Sequence, residues 1–245
     1  MLPAMYRELV PWYRLIDPVA DHLGEATCYR EALERAARAP AETLLELGCG
    51  AGHNASFLRD RFRCTLTDVS EEMLALSREL NPGCEHLVGD MRTLRLGRAF
   101  DAVLVHDAVM YMTTEADLTA AARTAFEHTR PGGAAVFAPD GVKEAFRERA
   151  ELLEATEGPR AIRGVEWKWD PDPADDTFVV DYALLLRDGH ELRAVHDRHL
   201  EGLFTTDTWL RVLGGAGYQV ELIDRPFDDH ETDDIFLCRR PTDAP

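Results

Sequence analysis

The sequence predicts an α/β fold: a mostly parallel sheet with helices on it and one antiparallel insertion. Three observations predict it. Short apolar runs alternate with helical stretches between residues 43 and 140, the order of βαβ units. A glycine cluster, Gly48-Cys49-Gly50-Ala51-Gly52, falls between the first run and the next helix. From 167 to 200 the pattern becomes the two-residue alternation of antiparallel strands.

Taken in order, residues 1–40 read as helices. Leu9, Tyr13 and Ile16 recur at helical spacing, YREALERAARA (29–39) alternates charge with Ala and Leu, and Pro40 closes the segment. TLLEL (43–47) is a buried strand, and the helix after the glycines carries Ala55, Phe57 and Leu58. RCTLTDVS (63–70) is the second strand. SEEMLALSREL (70–80) opens with Ser70 as N-cap and acids in its first turn. CEHLVGDM (84–91), FDAVLVHD (100–107) and GAAVFAPD (133–140) are strands, with an Ala-rich helix at 116–128 and a turn at RPGG (130–133). WKW (167–169), TFVVDYALLL (177–186) and HELRAVHDRHL (190–200) form a three-stranded antiparallel insertion, and RDGH (187–190) is a hairpin turn. TTDTWLRVLGGAGY (205–218) is a helix capped by Thr205 or Thr206, and YQVELID and DIFLCRR are closing strands. The implied organisation is a cap at 1–40, a core at 41–140, the insertion at 141–203 and the rest of the core at 204–245. The acidic loops at 170–176 and 227–234 read as solvated surface.

Acids outnumber bases 45 to 27, for a net charge of −18, which argues against a nucleic-acid partner and for a small-molecule substrate. The cysteines Cys28, Cys49, Cys64, Cys84 and Cys238 form no CxxC pair, so no metal cluster is expected and a reducing compartment is. The start of the chain lacks the pattern of a signal peptide, and no segment approaches the ~20 apolar residues of a membrane helix. A cytoplasmic location is expected.

Glycines between strand and helix let backbone N–H groups approach a ligand at the helix N-terminus. The spacing is G-x-G-x-G, with His53 where a dinucleotide fingerprint needs glycine. Asp68, 20 residues past Gly48 at a strand end, can accept two ribose hydroxyls. Asp90 ends the third strand, where a carboxylate can take an exocyclic amine, and Met91 offers an apolar surface and a backbone N–H to a ring.

LELGCGAG, TDVS, GDM, FDAVLVHD and RPGG, in this order, resemble the class I S-adenosylmethionine (SAM) dependent methyltransferases. The resemblance implies a Rossmann-like seven-stranded sheet with strand 7 antiparallel, and SAM lying across the strand C-termini. It implies that Gly48, Gly50 and Gly52 pass the methionine part, Asp68 holds the ribose, Asp90 and Met91 hold the adenine, and His106 sits beside the sulfonium. Tyr29, Glu46, Cys49, Val69 and Met73 are assigned to the same cofactor site. WYRLI, CYREAL, GDMRTLRLGRAFDAV and HDRHLEGLF are similar to one group within that family, the N-methyltransferases of nucleotide-linked amino sugars of the desosamine and mycaminose type, which implies such an acceptor and a homodimer.

An amine acceptor needs only to arrive neutral, whereas a hydroxyl acceptor gains from a general base. Catalytic candidates are His106, Tyr13 and His199, with Asp107, Tyr111 and Asp140 also at strand ends. Tyr13 reads equally as a core aromatic, and His106 as a support for its loop. His196 and His199 face opposite sides of an extended strand, so HDRH is no metal site and only one of the two can enter a pocket, with His199 preferred. Trp167 and Trp169 share a face, as sheet packing or as an aromatic wall. The alternatives are O-methyl transfer with His106 or His199 as base, an NAD dehydrogenase, which lacks a Tyr-x-x-x-Lys constellation, and a non-catalytic binding module.

Overall fold

The computed structural model describes residues 2–226 and 232–242. Prolines dictate the first forty residues. Pro3, Pro11 and Pro18 each restart the chain, because proline cannot donate within a helix but suits its first turn. In place of long helices there are 3-10 turns at Ala4–Tyr6, Val10–Trp12 and Val19–His22, and a single turn α1 (Tyr13–Ile16). A full helix, α2 (Leu23–Ala36), comes only after Pro18.

The βαβ pattern then runs as the sequence implies: β1 (Thr43–Leu47), α3 (His53–Leu58), β2 (Arg63–Asp68), α4 (Glu71–Leu80), β3 (Glu85–Val88), β4 (Phe100–His106), α5 (Glu115–His128) and β5 (Thr129–Ala138). Ser70 caps α4 by accepting from the Met73 amide at 3.1 Å. After the insertion, α6 (Thr206–Ala216) leads to β10 (Gln219–Pro226) and β11 (Thr232–Arg239), and its cap is Thr205, which accepts from Thr208. The seven strands lie in the order β10-β11-β5-β4-β1-β2-β3. β11 is the antiparallel member, paired to both neighbours. Alternation along each strand splits the core. Leu45, Leu47, Val103 and Val105 pack towards α5 and α6, while Leu44, Leu66, Ala102 and Leu104 pack towards α2 and α4.

RPGG is not a turn. β5 runs through it as a bulge, with Phe100 opposite Thr129 and Ala102 opposite Ala134. Gly132 takes φ 76, and a Cβ on Gly133 would stand 2.8 Å from the Asp101 carbonyl, so both glycines serve the bulge.

The insertion has four strands: β6 (Arg149–Glu157), β7 (Arg160–Trp169), β8 (Thr177–Asp188) and β9 (Glu191–Gly202), in that order across an antiparallel sheet. β6 is mostly exposed and rich in Glu, so it carries no apolar alternation to announce it. The β8–β9 turn is tight, with Gly189 at φ 59. The loop at 171–176 is exposed throughout, whereas the core of the other acidic stretch, 227–231, lies outside the described residues.

Candidate functional site

β1 leads into α2-side packing and β4 into α5-side packing, so the chain order reverses between these two neighbours, where open α/β sheets place their ligands. A cleft of about 430 Å³ opens there. Its floor is the C-terminal ends of the parallel strands, its roof is the inner face of the second sheet, and its side is the N-terminal turns.

The glycine loop forms one end. Gly48, Gly50 and Gly52 have φ of 79°, 52° and 75°, the left-handed region that a side chain resists. A Cβ on Gly48 would stand 2.4 Å from that of Ala108. Gly48, Cys49 and Gly50 line the cleft. Gly52 does not: a Cβ there would strike Ser77 Oγ at 2.2 Å and Asn81 Nδ2 at 2.5 Å, so this glycine lets α3 approach α4. Asp68 closes β2 and steadies the loop, accepting from the Gly50 amide at 2.9 Å and the Ser70 amide at 2.8 Å. Burial raises its pKa. Val69 lies beside it at the cleft surface, but Met73 is fully buried beneath the loop, its methyl 3.6 Å from where a Gly50 Cβ would be. Asp90 and Met91 line the cleft, and Arg92 grips Asp90 with Nε 3.0 Å from both carboxylate oxygens. That guanidinium holds the Asp90 pKa below the usual carboxylate range.

Glu46 ends up buried on the floor, and burial pushes its pKa up to about 8. Its Oε2 has no hydrogen-bond partner among the described residues. A buried acceptor at the glycine end of a cleft fits the ammonium of an amino-acid tail. Tyr29 stands outside the cleft, fully buried under His106 with ring centroids 5.4 Å apart, because it lies on the sheet-facing side of α2.

His106 ends β4. Its Nε2 is 2.7 Å from Asp107 Oδ1 and 3.2 Å from Glu25 Oε2, and its Nδ1 is 3.2 Å from Asn54 Nδ2. Burial opposes its charge, but Asp107 and Glu25 prevail and the pKa is raised. Asp107 has φ 31, an unusual conformation for a residue with a side chain. Burial, then the neighbouring Asp140, push its pKa up to about 7, although nearly half of its side-chain surface remains open to the cleft.

The roof is set by register. Glu166 lies opposite Tyr182, Lys168 opposite Val180, and Phe178 opposite Glu201, so Glu166, Lys168, Tyr182 and Glu201 share the inner face. All four line the cleft, together with Asp140 at the end of β5. Lys168 Nζ lies 3.4 Å from Glu166 and 3.7 Å from Asp140, and burial pushes the Glu201 pKa up to about 8. Trp167 and Trp169 take the other face, stacked at 5.5 Å, away from the cleft. His196 is also outside, 2.7 Å from Asp181.

His199 faces inward but does not reach the cleft. It is 1% exposed, with Nδ1 2.8 Å from Tyr111 Oη and Nε2 3.1 Å from Asp197. Tyr111 stands between His199 and the cleft, and its Oη meets that of Tyr6 at 2.8 Å. Asp197 accepts from the Ala4 and Met5 amides at 3.0 and 2.7 Å, so β9 holds down the N-terminal turns. Tyr13 lines the cleft, with its ring 5.7 Å from that of His53, and burial raises its pKa.

Sequence reasoning gives no site role to several residues that line the cleft: Tyr6, Asp17, His22, His53, Glu166, Lys168, Tyr182 and Glu201. Alternation contained a signal for two of them. Glu201 shares a face with His199, and Lys168 faces away from the Trp pair that flanks it. The N-terminal residues had none, since turns have no period.

Residues 44–133 match a family model described as a methyltransferase domain. A dTDP-3-amino-3,6-dideoxy-alpha-D-glucopyranose N,N-dimethyltransferase of Streptomyces fradiae is 31% identical over 225 residues, 82% of each chain. The chain belongs to the SAM-dependent methyltransferases. A second relative of this methyltransferase, the dTDP-3-amino-3,4,6-trideoxy-alpha-D-glucopyranose N,N-dimethyltransferase of Streptomyces venezuelae, is 35% identical over 130 residues, 52% of this chain and only 54% of that protein. The crystal structure of Streptomyces venezuelae DesVI superposes with a TM-score of 0.83 at 25% identity, covering 96% of this chain and 97% of that one. SAM-bound CalS10, an amino pentose methyltransferase from Micromonospora echinaspora, gives 0.75 at 26% identity over 94% and 95%. The cofactor of the methyltransferase is SAM, and the orphaned Glu46 oxygen beside the glycine loop fits its methionine tail.

Proposed function

We propose that the methyltransferase acts on the amine of an amino sugar. The acidic end of the cleft carries this reading. Asp107, Asp140, Glu166 and Glu201 converge there, and Lys168 is the one lysine or arginine lining that end among the described residues. An amine reaches the site as an ammonium ion, and the carboxylates attract and orient it. To attack, it must lose a proton. Asp107, at about 7, is matched to take that proton near neutral pH. Bound SAM supplies a methyl group already activated on its sulfonium. The residues then need mainly to align and desolvate the amine.

The cofactor roles in this reading are residue by residue. Glu46 takes the tail ammonium, the Gly48–Gly50 backbone passes the methionine part, Asp68 holds the ribose, and Asp90 and Met91 hold the adenine. His106 positions Asp107, its Nε2 2.7 Å from Oδ1, and its raised pKa favours the charged ring, so it does not act as a base. His199 positions Tyr111. Neither histidine is placed as a base for O-methylation, and the acidic end of the cleft disfavours a carboxylate acceptor. The amino sugar substrates of the Streptomyces relatives support the same acceptor.

The test is methyl-labelled SAM with nucleotide-linked amino sugars, their hydroxyl counterparts and simple amines, read by mass spectrometry. Label on the sugar nitrogen is expected. Label on a hydroxyl or a carboxyl would refute the amine reading.

A further inference from the structure

Beside the glycine loop, three segments distant in sequence point their polar atoms at one place. Asp17 caps the end of α1, His22 ends the third 3-10 turn, and His53 opens α3. Asp17 Oδ1 is 2.8 Å from His22 Nε2, Asp17 Oδ2 is 3.2 Å from His53 Nδ1, and the two ring nitrogens are 3.3 Å apart. We propose that this triad binds one divalent first-row transition-metal ion, with zinc as its representative.

Size is the first argument. Donors bonded to tetrahedral zinc at ~2.0–2.1 Å stand ~3.3–3.4 Å apart, and octahedral donors ~3.0 Å. The two ring nitrogens, 3.3 Å apart, have this spacing, and each has one oxygen of the Asp17 carboxylate at 2.8 or 3.2 Å, close enough for small shifts to complete the triangle. Convergence is the second. If both rings carry a proton towards Asp17, two N–H groups face each other at 3.3 Å. One cation displaces both protons and satisfies all three lone pairs.

The surroundings supply the third argument. His22 Nδ1 lies 2.6 Å from Glu25 Oε1, and the same oxygen accepts from Asn54 Nδ2 at 2.9 Å. A carboxylate behind a histidine fixes the tautomer that leaves Nε2 free for a metal. His53 is 4% exposed, and its Nε2 has no partner among the described residues, so its polar engagement is at the triad. Two imidazoles and a carboxylate suit zinc or ferrous iron better than calcium or magnesium. All three residues line the cleft, which leaves the remaining coordination positions open on that side. The ion would tie the N-terminal turns to the start of α3, directly over the glycine loop.

Zinc alone is the probe. Protein stripped with a chelator and returned to metal-free buffer is titrated against a chromogenic zinc chelator. Cobalt substitution then reports the ligand field by visible absorption. One zinc per chain is expected, with affinity falling at least about tenfold in Asp17→Asn and in His53→Ala and unchanged in His190→Ala, which alters an exposed turn. Circular dichroism of each metal-free variant checks its fold, and the near-isosteric Asp17→Asn keeps the test informative if His53→Ala misfolds. Binding below one equivalent, or equal affinity in the triad variants, would overturn the site.

Discussion

The three glycines of the loop have similar backbone angles but different neighbours, so alanine should act on them in different ways. In Gly52→Ala the new methyl meets Ser77 Oγ at 2.2 Å and Asn81 Nδ2 at 2.5 Å, both in a buried contact between α3 and α4. The left-handed backbone costs about 1 kcal/mol. Displacing Asn81 also breaks its 2.9 Å hydrogen bond to the Gly52 carbonyl, and a buried amide left without a partner costs about 1–3 kcal/mol. The sum is roughly 3 kcal/mol of stability. Gly50→Ala meets only the Met73 methyl at 3.6 Å, so strain alone should cost it about 1 kcal/mol. Because Gly50 belongs to the loop that lines the cleft, a strained or shifted loop should bind SAM at least about tenfold more weakly, or about 1.4 kcal/mol. Urea denaturation gives the first quantity, and calorimetry with S-adenosylhomocysteine the second. If Gly52→Ala lost less than about 1 kcal/mol, or Gly50→Ala lost stability without losing affinity, the division of labour argued from these distances would be wrong.

Asp107→Asn preserves shape and tolerates the positive φ, so stability should move by less than about 1 kcal/mol while kcat/KM falls at least about tenfold; parent-like turnover would remove Asp107 from the chemistry. Glu201, at about 8 in the fold against an ordinary carboxyl near 4.5, stays protonated while the unfolded chain ionises. Its contribution is therefore present below about pH 4.5 and lost as pH rises to about 8, and Glu201→Gln should flatten the decline of stability across that window in urea titrations. Asp68→Ala removes the acceptor for the Gly50 and Ser70 amides as well as the expected ribose contact, and SAM affinity should fall by more than about 1 kcal/mol. Unchanged calorimetric affinity in that variant would clear Asp68 of the cofactor site.

The parallel core was legible because its elements obey local rules. β1 and β4 are short, mostly apolar runs, β2 is buried along its middle, α4 carries its own cap, and the glycines fall where β1 meets α3. The insertion was half legible. β8 and β9 each carry a stretch of alternation, but β6 is so exposed that edge pairing to β7 alone defines it. The site divides along the same line. Glu46 and Asp68 lie at the ends of β1 and β2 and Asp90 two residues past β3, so their positions follow from the sheet. Tyr29, Met73 and His199 each fall one layer behind the surface, a distinction set by which way a side chain packs and not by spacing. Asp17 and His22 belong to turns shaped by proline, and their neighbour His53 is 31 residues from His22, so nothing local links them.

The anchoring of Ala4 and Met5 by Asp197 also bears on how the enzyme is made. A chain leaving the ribosome can begin pairing β1 with β2 early, since those strands are neighbours in sequence. The turns that wall the cleft must wait, because their anchor is synthesised some 190 residues later. Through most of translation, the nascent chain would carry an open cofactor shelf with no chamber over it. Methyl transfer would thus be withheld until the last third of the polypeptide has emerged and the N-terminus has found its place on β9.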